Sequence, residues 1–449
     1  MVSGRVRGTD WLLLRDGRLV DGTGGPPREH TSVLVRGDRI VDVRPDAGVD
    51  VDGNLPPGDG DVVDATGCTI MPGLVDVHTH MTYGLARTEE EIDLYTSQEM
   101  RTLIAAHNLA LLARGGVTSI SQPGGSYNIG VALRDAINAG LIDGPRMTTA
   151  GRYLSTSNSL TDWYPDDVGV PASSIGVLTN TPGAMVDEIR RQVKAGVDYI
   201  KVADSPSGDL QAFSDAELQL IAGTAHQLGR PVTIHARGDA EVRAAVAAGF
   251  DWIMHGNLMA DDTIEALAAA GTTLVPTLLF PANLADWGHL CGAPRREIEW
   301  AKRLMDRTGE TLHKAREAGV TFALGTDTGF ALTPYGEWHG REVKLLCDYA
   351  GLSVTEAVRA ATANGAPMLN LDGEIGVVAE GMLADVIVVR GDVATDVAVL
   401  SDRANVEVVI RGGVRVPIEA DLEAVHHDRA QTISAAEVTW ELVHGERDR

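Results

Sequence analysis

Two histidines separated by one residue end an apolar segment in the first fifth of the chain. They are His78 and His80, at the end of MPGLVDVHTH (71–80). Successive side chains of a β-strand point to opposite faces, so both histidines lie on one face, as two ligands of one metal ion must. The pair alone is a modest signal, because a strand can carry two such histidines by chance. The rest of the chain has to decide between a metal site and ordinary packing.

Further side chains with suitable chemistry end later apolar segments: Lys201 in IKV, His235 in IHA, His255 in MHG and Asp327 in GTD. Imidazole nitrogens and a carboxylate are the donors that divalent transition metals prefer. Taken singly, His235 or His255 is more often a histidine packed in a core than a ligand. The chain has 13 histidines, and four of them stand with an aspartate at the ends of strand candidates, which favours a metal site.

The segment from residue 72 to residue 368 alternates strand and helix patterns. Eight strand candidates fall at 74–80, 117–121, 146–151, 198–204, 231–236, 250–256, 272–278 and 320–327. The helical patterns between them imply parallel strands joined by crossovers. Eight such repeats predict an α/β fold, a (β/α)8 TIM barrel, in which catalytic groups gather at the C-terminal ends of the strands. A doubly wound open sheet is the alternative, but no glycine-rich dinucleotide motif follows any strand.

Both ends of the chain consist of short strands with hairpin-type turns. The first seventy residues contain apolar runs broken by Asp-Gly and Gly-Asp pairs, and similar runs return in ADVIVVRGD and NVEVVIRGG. We therefore predict that residues 1–71 and 369–449, the latter with a tail, form a small β-sandwich. Residues 72–368 form the barrel.

The composition argues against several classes of partner. The chain has 38 basic and 63 acidic residues and a formal charge of −25, which disfavours binding to nucleic acid or to an anionic membrane. Its three cysteines, Cys68, Cys291 and Cys347, form neither a CxxC pair nor a disulfide framework, which suits a reducing compartment. The apolar run from Trp11 to Leu14 is too short for a signal peptide or a membrane span. We expect a cytoplasmic homo-oligomer with a small-molecule substrate.

The motifs around these candidate ligands resemble those of the amidohydrolase superfamily over nearly the whole chain. The likeness is greatest to the branch of imidazolonepropionase-like proteins, metal-dependent prolidases and xenobiotic amidohydrolases. The segments LRDAINAGLIDGPRMTTAGRYLS (133–155) and EGMLADVIVV (380–389) are also similar to that branch. The resemblance implies a (β/α)8 barrel with a β-sandwich built from both chain ends, in agreement with the patterns described above.

For the site, the resemblance implies two divalent ions, zinc first, with manganese, cobalt or iron as alternatives. It assigns the ligands as His78, His80, Lys201, His235, His255 and Asp327. In the family the lysine is carboxylated by carbon dioxide, and the carbamate bridges the metals. Two divalent ions, offset by the carbamate, Asp327 and a hydroxide, leave a net charge of about +1. A buried lysine could also be a Schiff-base nucleophile or a paired cation, and without carboxylation it would favour a single metal.

These residues predict hydrolysis of an amide-type C–N bond, in which a metal-bridging hydroxide attacks the carbonyl. Asp327, and Lys201 through its carbamate, are the expected catalytic residues, with Asp327 passing a proton to the leaving nitrogen. The substrate could be an amide, urea or carbamate, or a dipeptide cleaved by a prolidase-type reaction. A cyclic amide hydrolase, a deaminase and a barrel without catalytic activity are the weaker alternatives.

Candidate substrate residues lie on the long loops after strands 3, 7 and 8 and beside the histidine of strand 5. They are Tyr153, Trp163, Tyr164, Arg237, Trp287, His289 and Trp338. Aromatic loop residues of this kind either line an apolar pocket or pack the loops together. Residues 235–237 of this chain are His-Ala-Arg, whereas His-Ala-His is common at this position in the branch. Arg237 therefore either binds a substrate carboxylate or pairs with Asp239.

Overall fold

The structure is a computed structural model that describes residues 10–50, 52–418, 423, 425 and 437–445. Five short strands begin the chain: β1 (Trp11–Leu19), β2 (Arg28–Arg36), β3 (Arg39–Arg44), β4 (Gly60–Asp64) and β5 (Cys68–Pro72). β1 pairs antiparallel with β2, which pairs with β3. The first half of β1 runs parallel to β4, and its end runs parallel to β5.

Nine strands with parallel ladders occupy the middle of the chain. They are β6 (Leu74–Asp76), β7 (Val117–Gln122), β8 (Arg146–Thr149), β9 (Tyr153–Ser155), β10 (Gly176–Leu178), β11 (Ile200–Ala203), β12 (Val232–Gly238), β13 (Trp252–Leu258) and β14 (Thr273–Val275). The ladders form a three-stranded sheet, β6-β7-β8, and a six-stranded sheet, β10-β9-β11-β12-β13-β14. β8 and β9 are successive parts of the third barrel strand. Because β8 pairs with β7 and β9 pairs with β11, this strand joins the two sheets.

The eighth predicted strand, 320–327, is an extended segment between β14 and β6 without a regular ladder. On one side, Leu274 N–H donates to the Thr321 carbonyl at 2.9 Å, and Ala323 N–H donates to the Leu274 carbonyl at 2.9 Å. On the other side, Val77 N–H donates to the Leu324 carbonyl at 2.9 Å, and Asp327 N–H donates to the His78 carbonyl at 2.8 Å. These bonds connect the last repeat to the first, so the predicted (β/α)8 fold class is confirmed.

Helices cover the outside of these strands. They are α1 (Glu89–Asp93), α2 (Gln98–Leu109), α3 (Ile129–Asn138), α4 (Pro182–Ala195), α5 (Asp215–Gln227), α6 (Asp239–Ala248), α7 (Asp261–Ala270), α8 (Leu279–Trp287), α9 (Arg295–Glu317), α10 (His339–Ala350) and α11 (Val354–Ala360). Their ends follow local sequence rules. Ser214 and Glu217 form a capping box that starts α5. α4 ends at Gly196, whose φ of 97° suits glycine. None of the described helices has the length and apolarity needed to cross a membrane.

Strands from the second end of the chain complete the terminal sheet. They are β15 (Val386–Arg390), β16 (Val406–Arg411) and β17 (Val414–Val416). β15 pairs antiparallel with β5, which gives one eight-stranded sheet in the order β17-β16-β15-β5-β1-β2-β3, with β4 beside β1. Leu14, Val33, Ile70 and Val386 are buried in its core. The small β unit therefore combines both chain ends, and the boundaries 1–71, 72–368 and 369–449 remain a prediction.

The inside of the barrel is apolar at the end opposite the candidate ligands. A buried cluster contains Val75, Tyr199, Trp252, Val275 and Ala323, one from or beside each of several barrel strands. Residues of the segment after α11, among them Leu369 and Ile375, belong to the same cluster. The interior is thus a packed core at this end, and the candidate ligands lie at the C-terminal strand ends.

Residues 437–445, the described end of the chain, pack on the barrel loops. Val438 is fully buried, and its N–H donates to the Ala331 carbonyl at 3.0 Å. The Trp338 indole N–H donates to the Val438 carbonyl at 2.5 Å. A last short helix, α12 (Trp440–His444), follows and places Trp440 against Trp338. Residues 437–445 therefore cover the loop that follows the eighth barrel strand.

Candidate metal centre

The first two candidate ligands are fixed by the strand that precedes them. β6 ends at Asp76, whose buried carboxylate accepts hydrogen bonds from the backbone N–H of His78 at 3.2 Å and of Thr326 at 3.1 Å. The Thr326 hydroxyl donates to the other carboxylate oxygen at 2.5 Å. Asp76 therefore holds the start of the His78–His80 segment against the end of the eighth strand.

Three residues at strand ends have left-handed backbone conformations, which are rare outside glycine. The φ angles are 80° at His255, 55° at Thr277 and 58° at Asp327. Such conformations cost free energy, on the order of 1–3 kcal/mol each, and they cluster at functional sites. They turn the chain sharply at the ends of the sixth, seventh and eighth barrel strands, and two of the three residues, His255 and Asp327, are candidate ligands.

His78, His80 and Asp327 form a compact group in which the Nε2 atoms of both rings face one carboxylate oxygen. The distance to Asp327 Oδ1 is 2.9 Å from His80 Nε2 and 3.5 Å from His78 Nε2. The Nδ1 atoms have partners of their own. His80 Nδ1 lies 3.1 Å from the Gly124 carbonyl oxygen, and His78 Nδ1 lies 2.9 Å from the Thr277 hydroxyl. Partners of this kind fix the ring orientation of a ligand and leave Nε2 for the metal.

His235 and His255 adjoin this group. The ring centroids of His235 and His255 are 4.3 Å apart, and those of His78 and His255 are 5.2 Å apart. Both nitrogens of His255 and Nε2 of His235 are buried without a hydrogen-bond partner in the described part of the protein. An unpartnered buried nitrogen is costly, so three of them beside a carboxylate fit a site whose ligand is a metal ion.

Lys201 lies beside the histidines but outside the tight His78–His80–Asp327 group. Its side chain is fully buried, and Nζ contacts Met254 Sδ at 2.6 Å and the ring of Tyr153 at 5.8 Å. Burial holds the pKa of this amine well below its usual value, and the nearby Arg237 guanidinium lowers it further. Burial therefore favours the neutral form of the amine, and among the described residues the thioether of Met254 is the contact given for its Nζ.

The electrostatics of the group suit a cation. Burial holds the pKa values of His78, His235 and His255 well below the usual histidine value, so the rings are neutral. Burial would raise the pKa of Asp327, but His78 and His80 outweigh that effect and hold it well below its usual value. Neutral imidazoles and an ionised carboxylate are the protonation states that metal ligands need.

Two tyrosines cover one side of His80. The Tyr83 ring stacks on the His80 ring, with centroids 4.2 Å apart and an interplanar angle of 6°. The Tyr153 hydroxyl lies 3.3 Å from His80 Nε2 and 2.9 Å from the Tyr83 hydroxyl. Burial raises the pKa of both phenols, so both stay protonated. Sequence reasoning named Tyr153 and missed Tyr83, although its position three residues after His80 was a usable signal.

The other candidate substrate residues separate into two sets. Trp163, whose indole N–H donates to Asp93 Oδ2 at 3.2 Å, packs against the buried cluster that contains Tyr83 and Tyr153. Tyr164 is its neighbour and donates its hydroxyl to the Glu89 carbonyl at 3.4 Å. The second set is Trp287 and Trp338, which pack against each other with centroids 4.9 Å apart and contact His444 of the tail. His289 is exposed to solvent.

Arg237 is buried and does not pair with Asp239, one of the two roles expected for it. Its Nη1 donates to Asn257 Oδ1 at 2.8 Å. Asp239 instead accepts hydrogen bonds from Arg243 at 2.6 Å and from the backbone N–H of Ala260 at 2.7 Å. Burial lowers the pKa of Arg237 to about 10, which still leaves the guanidinium charged at neutral pH.

Two residues on α10 support the candidate ligands, and the sequence did not reveal this role. His339 is fully buried, and its Nδ1 lies 2.8 Å from Asp76 Oδ2, so it holds the carboxylate that orients His78. Glu342 accepts hydrogen bonds from the backbone N–H groups of Leu278 and Leu279, at 2.9 and 2.6 Å. Burial raises the pKa of Glu342 to about 8. The chain is therefore braced behind the ligands by a helix that follows the last strand.

Comparison with known proteins establishes the family. The sequence profile of the amidohydrolase family matches residues 69–416, which is most of the chain. The chain belongs to this family, and the resemblance drawn from its motifs is confirmed. Hydrolysis at a carbon–nitrogen bond is the activity that the family and its members support.

Individual relatives cover most of the chain. Ochratoxinase from Aspergillus niger is 29% identical over 441 residues, covering 89% of this chain and 85% of its own length. Imidazolonepropionase from Symbiobacterium thermophilum is 28% identical over 414 residues, covering 85% and 91%. A solved structure of a Xaa-Pro dipeptidase with bound methionine in the active site has a TM-score of 0.77 and 27% identity. That match covers 90% of this chain and 99% of the dipeptidase chain.

Proposed function

We propose that this protein is a metal-dependent hydrolase that cleaves an amide-type C–N bond of a small molecule. The observation that carries the proposal is the convergence of four histidines and Asp327, with three ring nitrogens that are buried without a partner among the described residues. The substrate is an amide, peptide, urea or carbamate. We further propose that the protein is a cytoplasmic homo-oligomer. Its charge of −25 disfavours a nucleic-acid or membrane partner.

We assign the metal site to His78, His80, His235, His255 and Asp327, with Lys201 beside them. Imidazole and carboxylate donors suit zinc first, and manganese, cobalt or iron as alternatives. Divalent ions bound here would act as Lewis acids toward the substrate carbonyl and would lower the pKa of water. The neutral rings keep their lone pairs available, because burial suppresses their protonation.

Proton transfer falls to Asp327. Its ionised carboxylate lies within hydrogen-bond distance of His80 Nε2, at the strand ends where the substrate must bind. As water attacks the carbonyl carbon, Asp327 would accept the water proton. When the C–N bond breaks, the same proton would pass to the leaving nitrogen. The Tyr153 hydroxyl, which stays protonated, would donate a hydrogen bond to the substrate oxygen as charge develops on it.

Lys201 is the proposed site of a carbamate. A neutral, buried amine keeps the lone pair that attack on carbon dioxide requires, and the low pKa of Lys201 supports that state. The new N–C bond forms as one C=O electron pair moves to oxygen, and the nitrogen loses a proton. The resulting carboxylate oxygens would serve as ligands, and with them we propose a site for two ions.

A prolidase-type dipeptidase is the second candidate, and one observation favours it. Arg237 is a buried cation close to the histidines, where a dipeptide would carry its carboxylate. The likeness to a Xaa-Pro dipeptidase supports the same candidate.

Metal analysis combined with a substrate screen tests the proposal. Purified protein should contain about two transition-metal ions per chain, and prolonged chelation should abolish hydrolysis of the best amide, peptide, urea or carbamate in the panel. In Lys201→Ala the metal content should fall to about one ion, with a large loss of activity. Full activity in chelator, with no metal by elemental analysis, would contradict the proposal. A wild-type content near one ion would contradict only the carbamate bridge.

A further inference from the structure

Arg237 stands directly beyond a candidate ligand. It follows His235 by two residues on β12, and Asn257 follows His255 by two residues on the neighbouring β13. The Arg237 side chain is 5% exposed and its Nη1 donates to Asn257 Oδ1 at 2.8 Å. Asn257 is fixed in turn, because its amide donates to the Thr308 hydroxyl at 3.2 Å. The guanidinium is therefore held rigidly beside the histidine cluster.

This cation lacks an ion-pair partner in the part of the chain that the structure describes. Its Nε is buried without a hydrogen bond. The carboxylate of Glu241 is used by the backbone N–H groups of Arg237 and Gly238 and by Ser205. The carboxylates of Asp327 and Glu241 act on it only from beyond ion-pair distance. A buried charge without a close counter-charge is costly, because the loss of hydration is not offset. A buried cation of this kind is expected at a site where a bound ligand supplies the anion that pairs with it.

The surroundings of Arg237 specify what kind of ligand fits. The neighbouring candidate ligands, His235 and His255, offer no negative charge, and the Asp327 carboxylate faces His78 and His80. Trp300 covers the guanidinium, with its ring centroid 5.7 Å from the Arg237 Cζ. A planar guanidinium with free N–H groups matches a carboxylate, which it binds through two parallel hydrogen bonds.

We propose that Arg237 binds a carboxylate of the substrate, so that the enzyme selects N-acyl amino acids or dipeptides over neutral amides. This inference rests on the proposed hydrolase function and deepens it. Arg237 acts as a specificity-determining residue, since the fixed cation places the scissile amide of such a substrate beside the histidine cluster. An arginine here, two residues beyond His235, thereby sets the substrate class.

The test measures binding as well as turnover. Metal-loaded enzyme is titrated by calorimetry with L-phenylalanine, L-leucine, L-methionine and L-proline, and with the carboxamide of each. The N-acetyl derivatives of the same pairs are used for steady-state kinetics. We expect the best acid to bind tighter than its amide by about tenfold to a hundredfold, the range for a hydrogen bond to a charged group. The same preference should appear in kcat/KM.

Variants separate this role from a structural one. Arg237→Met should abolish the preference for the acid, and Arg237→Lys should retain part of it. Asn257→Asp should also abolish it, because the new carboxylate would pair with the guanidinium already in place. The control is Arg243→Gln, which alters an arginine on α6 that already pairs with Asp239 and Asp262 and should leave the preference unchanged.

Each outcome decides one of the two claims. A preference that survives both Arg237→Met and Asn257→Asp, or a wild-type enzyme that binds none of the four acids better than its amide, overturns the inference. In either case hydrolysis of neutral amides would leave the proposed function standing. Absence of hydrolysis for every amide in the panel would overturn the function, while the acid preference would still be measured by calorimetry.

Discussion

Asp327 combines three features that rarely meet at one carboxylate. It is buried, it has a φ of 58°, and it faces two histidine nitrogens that hold its pKa well below the usual value. The neighbouring backbone fixes it, because Asp327 N–H donates to the His78 carbonyl at 2.8 Å. The position is therefore built for an ionised carboxylate, and an amide of the same shape cannot accept a proton there.

We predict that Asp327→Asn lowers kcat by about 10²- to 10⁴-fold, the usual contribution of a general acid–base group. Metal content should be measured in the same preparation, since the variant also removes a charged ligand. Asp286→Asn is the control, because Asp286 is a half-exposed carboxylate on α8 that pairs with Arg341. Asparagine at 327 with full metal content and unchanged kcat would refute the assigned role.

Tyr153 offers a hydroxyl where charge would develop on the substrate. We predict that Tyr153→Phe lowers kcat by about a hundredfold, as loss of one oxyanion donor does, with KM and metal content little changed. Tyr83→Phe should have a smaller effect, because its ring keeps the stack on His80 and its hydroxyl bonds to Tyr153. Steady-state kinetics of the two variants give the comparison. Equal losses would contradict the separate role assigned to the Tyr153 hydroxyl.

At the level of strands and helices, the sequence predicted strand ends that the fold brings together, and the assignment of their residues as metal ligands stays a prediction. Histidines at strand ends are local signals, and the barrel rule converts separate strand ends into one site. The contact between His339 and Asp76, which supports the candidate ligands, could not be predicted from the sequence. The two residues are 263 positions apart and meet only in the folded protein. Loop packing was equally hidden. Trp163 lies near the tyrosines, whereas Trp338 packs with Trp440 of the tail, and composition alone does not separate these outcomes.

α10 contributes a pH-dependent brace through Glu342. Its pKa is raised to about 8 by burial, whereas the unfolded chain has the ordinary value near 4.5. Between these values the folded state holds a proton that the unfolded state has lost. The contribution of Glu342 to stability is therefore greatest below about pH 4.5 and is lost as the pH rises toward 8, by about 1.4 kcal/mol per pH unit.

We predict that the stability difference between wild type and Glu342→Gln changes with pH. Relative to the variant, the wild type should lose thermal stability steadily from pH 5 to pH 8. The measurement is the apparent melting temperature of chelated protein, which keeps metal release out of the comparison. Glu356→Gln, a change on the exposed capping box of α11, is a control for general effects. A difference that stays constant over this range would show that Glu342 titrates normally.

At the scale of the whole molecule, the two ends of the chain have different roles. Strands from both ends of the chain form the terminal sheet. Residues 437–445 pack instead on the loops that follow the seventh and eighth barrel strands. The contact is extensive for so short a segment. Trp440 lies 5.7 Å from Trp338 by ring centroids, and His444 lies 6.4 Å from Trp287. The tail therefore stabilises the two loops that border the candidate site, and its effect should extend to substrate binding.

Val438 anchors this tail, because it is fully buried and bonds through its backbone to Ala331 and Trp338. We predict that Val438→Ala destabilises the protein by about 1–2 kcal/mol, since it removes two buried methyl groups and leaves a cavity. KM should rise while metal content stays unchanged, because the ligands stand on strand ends and the tail contacts only loops. Val414→Ala, at an exposed position of β17, is the matched control.

A chain truncated after residue 436 should show the same rise in KM, and the rise should be larger than in Val438→Ala. If truncation leaves both KM and the melting temperature as in the full chain, the tail does not support these loops, and the aromatic contacts between Trp338 and Trp440 contribute nothing to the site.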